Sequence, residues 1–440
     1  MDAFLGELGD IPHDTAPNAV LAKSRDFFWY SPILKELLAD CVGDVIITPR
    51  SEADVLAVAR LCAEHRLPLT ARGGGTGNYG QAVPLHGGVV LDLTGLSAIG
   101  PVIDGTVRVG AGAKLKDIDL HTRPAGWELR MFPSTYRTAT IGGFVAGGSG
   151  GVGSIAYGVL NERGSIASAR VVTLEREPRV VELRGFDTNR VQHAYGTNGI
   201  ITELEIPLAP AQPWVDVAVA FDDFMPLARF SEAVARTDGI MKKLITAVAW
   251  PIPRYFNTLK ATIPEGCALG LFMIAAATIA PFLELVEAQG GAVIYRRTDA
   301  EVAAAGSVPI FEYTWNHTTL QLLKRDRDVT YLQSAFPNLA LVDEMNRTFG
   351  DEVTQHLEFI RSNGEVAIRA LQIVRYTTAE RLAEIIRIHE AHGCAVFNPH
   401  TYVIEDGGRK VTDAAQLAFK RQADPLGLLN PGKMRGWTPA

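Results

Sequence analysis

Residues 72–80 read R-G-G-G-T-G-N-Y-G, with glycine at five of nine positions and an apolar run on either side. Glycine has no Cβ, so it tolerates positive φ and lets other groups come close to the backbone. A run of such residues can turn successive N–H groups into a concavity that suits an anion. Residues 133–158, P-S-T-Y-R-T-A-T-I-G-G-F-V-A-G-G-S-G-G-V-G-S-I-A-Y-G, form a second glycine-rich stretch. One such stretch could be a plain surface loop; two in one region suggest a ligand with a long phosphate-bearing body. The sequence has no G-x-x-x-x-G-K-[ST], and no strand–G-x-G-x-x-G–helix context surrounds either stretch.

Working outward, residues 43–210 read as a compact α/β unit. Strands are expected at 45–48, 68–71, 88–93, 106–110, 169–174, 179–183 and 199–208. Ser51 is positioned to cap a helix that runs to His65. A short helix is expected at 115–121. Residues 1–42 form an arm that carries the aromatic run D-F-F-W-Y-S-P at 26–32, read as packing onto the main body. Ala209-Pro210-Ala211-Gln212-Pro213 marks a boundary. Residues 211–392 form a second unit that opens strand, helix, strand, strand, helix, strand, the ferredoxin-like order. Residues 393–440 return to the first unit. The fold class is α+β. No internal repeat is evident.

At 440 residues the chain is long enough for two domains. Its net charge of −7 argues against nucleic acid as a partner. Four scattered cysteines give no C-x-x-C pair, so no metal cluster is expected. The acidic N-terminus lacks a signal-peptide pattern. The most apolar run, 267–286, is broken before it could span a bilayer. A cytoplasmic protein with no membrane span is expected, with a homodimer left open.

Four pieces occur in order: R-G-G-G-T-G; P-S-T-x-x-x-A-T-I-G-G with G-G following; G-T-N-G-I-I-T-E at 196–203; and D-P-L-G-L-L-N-P-G-K at 424–433. Together they resemble the FAD-linked oxidases and dehydrogenases of the vanillyl-alcohol-oxidase and p-cresol-methylhydroxylase type, in the D-lactate and glycolate dehydrogenase-like branch. The resemblance implies a two-part FAD-binding domain with a cap over the flavin. It implies FAD contacts from Arg72, Gly73, Gly74, Gly75, Thr76, Gly77, Asn78 and Tyr79. From the second stretch it implies Pro133, Ser134, Thr138, Ile141, Gly142, Gly143, Ala146, Gly147, Gly148, Gly150 and Gly151. Gly199, Ile200 and Ile201 would lie at the adenine end, and Asn430 near the isoalloxazine.

Some relatives attach the flavin through a first-loop histidine; here Asn78 and Tyr79 stand there, so noncovalent FAD is expected. The histidine-bearing G-D-G-N-L-H segment of the metal-dependent relatives appears as R-S-N-G-E-V-A at 361–367, so no metal site is expected.

The implied function is oxidation of a secondary alcohol, most simply a 2-hydroxy acid, with hydride passing to flavin N5 and the hydroxyl proton to a base. His400 and His317 are the candidate bases, with Tyr402 able to orient the first. Arg369 and Arg254 are candidate carboxylate anchors. Arg325 and Arg327, in a run of alternating charge, read as a solvated face, as do His356 and Glu358. The alternatives are an electron-transfer flavoprotein subunit of a larger complex, an alditol or phenolic-alcohol oxidase, and an FAD-dependent transferase without net redox. The electron acceptor (oxygen, quinone or protein) is open.

Overall fold

The computed structural model describes residues 1–407, 411 and 413–437. Its frame is three β-sheets. The first contains β1 (His13–Asp14), β2 (Val45–Ile47), β3 (Leu69–Arg72) and β4 (Val89–Asp92), in the order β1-β2-β4-β3. β2, β4 and β3 are parallel. Helix Glu52–His65 crosses over between β2 and β3. Ser51 caps it in a reciprocal capping box with Asp54, and Val55, Val58 and Leu61 are among its buried residues. The arm is part of this sheet, because β1 pairs with β2. The C-terminus also returns here: the Leu69 and Asn430 N–H groups donate to the Leu428 and Leu69 carbonyls at 2.8 Å.

The second sheet contains β5 (Ile99–Ile103), β6 (Thr106–Gly110), β7 (Trp127–Leu129), β8 (Ser168–Val172), β9 (Val180–Arg184) and β10 (Ile200–Pro210). Its order is β5-β6-β10-β8-β9, with β7 on the far end of β10. Within the second glycine-rich stretch, residues Ile141–Gly147 form a helix where the sequence suggests only loop. Glycine is a poor helix former. Packing decides here, because a Cβ on Gly142 would lie 2.6 Å from the Ala111 side chain.

The third sheet has eight strands. They are β11 (Trp214–Phe221), β12 (Lys242–Val248), β13 (Ala268–Ala275), β14 (Ala292–Thr298), β16 (Ser334–Phe336), β18 (His356–Ser362), β19 (Glu365–Ala370) and β21 (Ala395–Val396). A small separate sheet holds β15 (Val329–Tyr331), β17 (Val353–Thr354) and β20 (Ile373–Arg375). The large sheet runs β14-β11-β13-β12-β18-β19-β16-β21. Numbered along the chain, the first four strands stand 4-1-3-2 and the last four 2-3-1-4, joined through antiparallel β12 and β18. Each half is a strand–helix–strand–strand–helix–strand unit, so the unit occurs twice, although the sequence shows no repeat. Strand β21 covers only Ala395–Val396, and it pairs with β16, so the return to the first unit begins after it.

Side-chain parity gives the large sheet two buried faces. Val217, Val219, Leu357, Phe359 and Ile368 pack against its helices. Trp214, Ala218, Leu244 and Leu271 join the core that also contains Val107, Leu129 and Leu204 of the second sheet. By alternation, Glu358, Ile360, Ser362 and Arg369 face that same way, toward the glycine-rich loops.

Candidate functional site

A cavity of about 510 Å³ lies between the two glycine-rich stretches and the large sheet. The stretches pack directly on one another. A Cβ on Gly73 would lie 1.9 Å from Thr140 Oγ1, and one on Gly74 would lie 2.3 Å from the Thr138 carbonyl oxygen. At these positions glycine is required by close approach. Arg72, at the end of β3, turns its guanidinium away from the cavity's anion site and onto the arm. Its Nη1 donates to the Arg25 carbonyl at 2.9 Å and to that of Lys23. Burial holds its pKa below the ordinary arginine value, against the pull of Asp92 and Asp26.

Of the predicted cofactor contacts, Arg72, Gly73, Gly74, Gly75, Thr76, Gly77, Asn78 and Tyr79 line the cavity. So do Pro133, Ser134, Gly142, Gly143, Ala146, Gly147, Gly148, Gly150, Gly199 and Ile201. Thr138, Ile141, Gly151, Ile200 and Asn430 are not among its lining residues. Ile141 and Ile200 point into apolar cores, and Gly151 packs on the Phe132 carbonyl. Asn430 lies under the site as a clasp, with φ +39°. Its Nδ2 donates to the Gln81 carbonyl at 2.8 Å and the Tyr195 carbonyl at 2.6 Å, tying two cavity loops together. Lys433 does the same for Gly80, donating to its carbonyl at 2.6 Å. Burial pulls the Lys433 pKa down to about 7 and pushes that of its neighbour Asp26 up to about 6. Asp26 accepts the Phe28 and Ala82 N–H groups and so seats the arm on the first loop.

The predicted bases do not reach the cavity. His400 is 4% exposed, and both ring nitrogens are engaged: Nδ1 with Ser31 Oγ at 2.8 Å and Nε2 with the Tyr331 carbonyl at 2.9 Å. Nε2 therefore carries the proton, and burial pulls the pKa down to about 4. His317 sits 2.9 Å from the Glu312 carboxylate. Tyr402 lies under the Lys433 ammonium, 5.0 Å from ring centroid to Nζ. Arg254 binds the Tyr255 hydroxyl and does not line the cavity. His356 and Glu358 are fully buried rather than solvated.

Glu358 has a specific job. Its Oε1 accepts the Trp315 backbone N–H at 2.6 Å and contacts His356 Nε2 at 2.9 Å, while Oε2 accepts from Thr246 at 2.6 Å. Trp315 has φ 52° and ψ −140°, a conformation that costs a non-glycine residue about 1–3 kcal/mol. The buried carboxylate offsets that cost and sets the indole on the cavity wall.

Arg369 does line the cavity. By register it opposes Glu358 on β18 and Ala335 on β16. The Glu358 oxygens are already taken, and no carboxylate lies within ion-pair distance of Arg369 among the described residues. Burial depresses its pKa, and the Phe397 ring lies 6.0 Å away. Sequence reasoning missed Asp26, Gln81, His193, Tyr195 and Gln333, which line the cavity, as do Trp315 and Asn316 beside the predicted His317. The two-residue spacing of His356 and Glu358 was the one available signal for the Trp315 clamp.

The lining fits a dinucleotide. Asn78 Nδ2 and Gln81 Oε1 are buried at the first loop without hydrogen-bond partners among the described residues, which is costly unless a ligand meets them. Arg72 and Arg369 are the only basic side chains among the described lining residues, so phosphate charge must be met by backbone N–H groups.

A family model described as FAD binding domain matches residues 43–182. The chain thus carries an FAD-binding domain over these residues. The chain is 25% identical to glycolate oxidase subunit GlcD of Bacillus subtilis (strain 168), over 89% of this chain and 88% of that one. It is 36% identical to D-2-hydroxyglutarate dehydrogenase of Escherichia coli (strain K12), over 32% of this chain and 14% of that protein. It is 30% identical to a D-lactate dehydrogenase of Archaeoglobus fulgidus, over 38% and 39%. The matches thus span well under half of the last two relatives. A solved alkyldihydroxyacetonephosphate synthase shares the fold, with a TM-score of 0.73 and 15% identity over 98% of this chain and 86% of that one. Among the described residues no helix is long and apolar enough to cross a membrane.

Proposed function

We propose that this flavoprotein oxidises the CH–OH group of a 2-hydroxy acid. Arg369 carries the reading. A half-buried guanidinium with no counter-charge among the described residues is unfavourable until an anion arrives, and its planar fork matches a carboxylate. FAD, when bound, supplies the two-electron acceptor. Residues 72–81 and 142–148 hold the cofactor, and Arg369 orients the acid from the opposite wall. Among the described residues, His193 is the histidine that lines the cavity. Its Nδ1 lies 3.0 Å from the Gly148 carbonyl, so Nδ1 carries the proton and Nε2 is the basic nitrogen. We assign the hydroxyl proton to His193 Nε2. The repeated 4-1-3-2 strand order supports reading the large sheet and its helices as a ferredoxin-like cap from residue 211 onward.

The test is anaerobic mixing of the FAD-loaded protein with 2-hydroxy acids, alditols and phenolic alcohols. Bleaching of the flavin by 2-hydroxy acids is expected; reduction only by alditols or phenols would overturn the reading. The FAD is held without a covalent bond in this proposal, because no histidine occurs in residues 72–81. Acid precipitation should leave all yellow colour in solution, and colour in the pellet would refute it.

Relatives named as glycolate oxidase subunits favour a second reading, in which the flavoprotein hands its electrons to a separate protein. Turnover that requires a co-purifying redox partner would support it.

A further inference from the structure

We propose that the acid oxidised carries at least one hydroxyl beyond the one that reacts, so that the substrate class is a polyhydroxylated carboxylate rather than a simple 2-hydroxy acid. The inference rests on the 2-hydroxy-acid reading and deepens it. Its basis is three polar atoms on the wall around Arg369. Trp315 Nε1, Asn316 Oδ1 and Gln333 Oε1 are buried, belong to residues lining the cavity, and have no hydrogen-bond partner among the described residues. Buried polar atoms without partners are uncommon and costly.

Their placement ties them to Arg369. Strand β16 pairs Ala335 with Arg369 and Ser334 with Ala370. Gln333, one residue earlier, faces the Leu371 end of the same edge, and Leu371 also lines the cavity. On the other side, Glu358 stands directly across from Arg369 and holds the Trp315 N–H at 2.6 Å. Trp315 and Asn316 are thereby fixed beside the guanidinium, and the strained backbone at Trp315 is what aims the indole inward. A carboxylate seated on Arg369 would bring its carbon chain past these groups.

The chemistry of the three atoms is that of a hydroxyl reader. Indole Nε1 can only donate, and a side-chain amide offers an acceptor and a donor. A hydroxyl is both donor and acceptor, so it can meet an indole N–H and an amide oxygen together. The methyl of lactate satisfies neither, and glycolate has no group at that position. A site built to hydrogen-bond a hydroxyl discriminates against the analogue that lacks it far more strongly than an apolar pocket discriminates by size.

The test compares lactate with glycerate, which adds one hydroxyl to the same carbon skeleton, and then with four- to six-carbon aldonates. Anaerobic flavin reduction should show kcat/KM for glycerate or a longer aldonate at least about tenfold above that for lactate. Trp315→Phe keeps an aromatic ring on the wall while removing the indole N–H donor together with the five-membered ring that carries it. It should lower kcat/KM for the polyhydroxylated acid about tenfold more than for lactate, mainly through KM, with the flavin-to-protein ratio retained. A readout without turnover is the shift of the flavin spectrum on titration with 3-hydroxypropanoate and with propanoate. The hydroxylated acid should bind more tightly, and Trp315→Phe should erase the difference. Equal kcat/KM for lactate and glycerate, or a Trp315→Phe effect that is the same for both, would overturn this inference and leave the 2-hydroxy-acid reading intact. If no 2-hydroxy acid reduces the flavin, that reading falls and this inference falls with it.

Discussion

His400 and His193 show how a side chain's partners decide its chemistry. Both are histidines in polar surroundings, and only the first attracts attention in the sequence. In the fold, His400 bridges Ser31 of the arm and the Tyr331 carbonyl, so it is a neutral strut. Its depressed pKa makes a signed prediction. The stability it contributes is complete above the ordinary histidine pKa near 6.5 and is lost as pH falls from there toward about 4. His400→Gln should therefore be less stable than wild type at pH 8, and the gap should narrow toward pH 5, measured by denaturant midpoints. Flavin reduction by the substrate should change less than about tenfold. His193→Gln should instead slow flavin reduction by about 10²–10⁴ with its denaturant midpoint nearly unchanged. Similar slowing in both variants would return His400 to the reaction.

At the scale of elements, the glycine-rich stretches announce a cofactor, but their glycines do not all do one job. Gly75 has φ +63° over the Arg72 guanidinium, a backbone need that glycine satisfies. Gly73 and Gly74 are instead spacers between two loops. The backbone oxygen opposing Gly74 cannot rotate away as a side chain could. Gly74→Ala should thus lower the flavin-to-protein ratio of the purified protein, whereas Gly239→Ala, with nothing within 4 Å of the added carbon, should leave it unchanged. Equal flavin content in the two variants would show that the loops separate at no cost. The strands at 214–221 and 268–275 were legible because burial on both faces leaves continuous apolar runs. The helix at 141–147 was not, because its two early glycines argue against helix and only its packing on Ala111 allows it.

At the scale of the molecule, the halves are joined by a buried ion pair. Lys243 of β12 donates to Glu128 of β7 at 2.8 Å and to the Leu129 carbonyl at 3.0 Å, and the pair is essentially inaccessible. Trp214 Nε1 and Arg123 also donate to Glu128. Removing one buried partner strands the other charge, so Lys243→Met should cost about 3–5 kcal/mol in chemical denaturation. Arg236→Ala, which breaks an exposed pair with Glu232 on one helix, should cost about 0.5 kcal/mol or less. Comparable losses would mean that the junction is hydrated in solution.

The amino-acid order alone determined the FAD-binding region, the alternation of strands and helices and the noncovalent expectation. All of these are local: periodicity, caps, turn residues and short motifs are carried by neighbours in the chain. The candidate site on the cap side was decided only by tertiary structure. Arg369 is distinguished by lining the cavity with no counter-charge among the described residues, because Glu358 opposite it is occupied by Trp315, Thr246 and His356. Asp26 from the arm, His193 from a turn and Gln333 from a strand edge meet at one cavity through pairings between residues far apart in the chain. The twofold use of one strand order is likewise not evident in sequence, because what the two units share is an order of strands and helices. Local chemistry specifies what each segment can form; which polar atoms remain without partners, and so await a ligand, depends on everything packed around them.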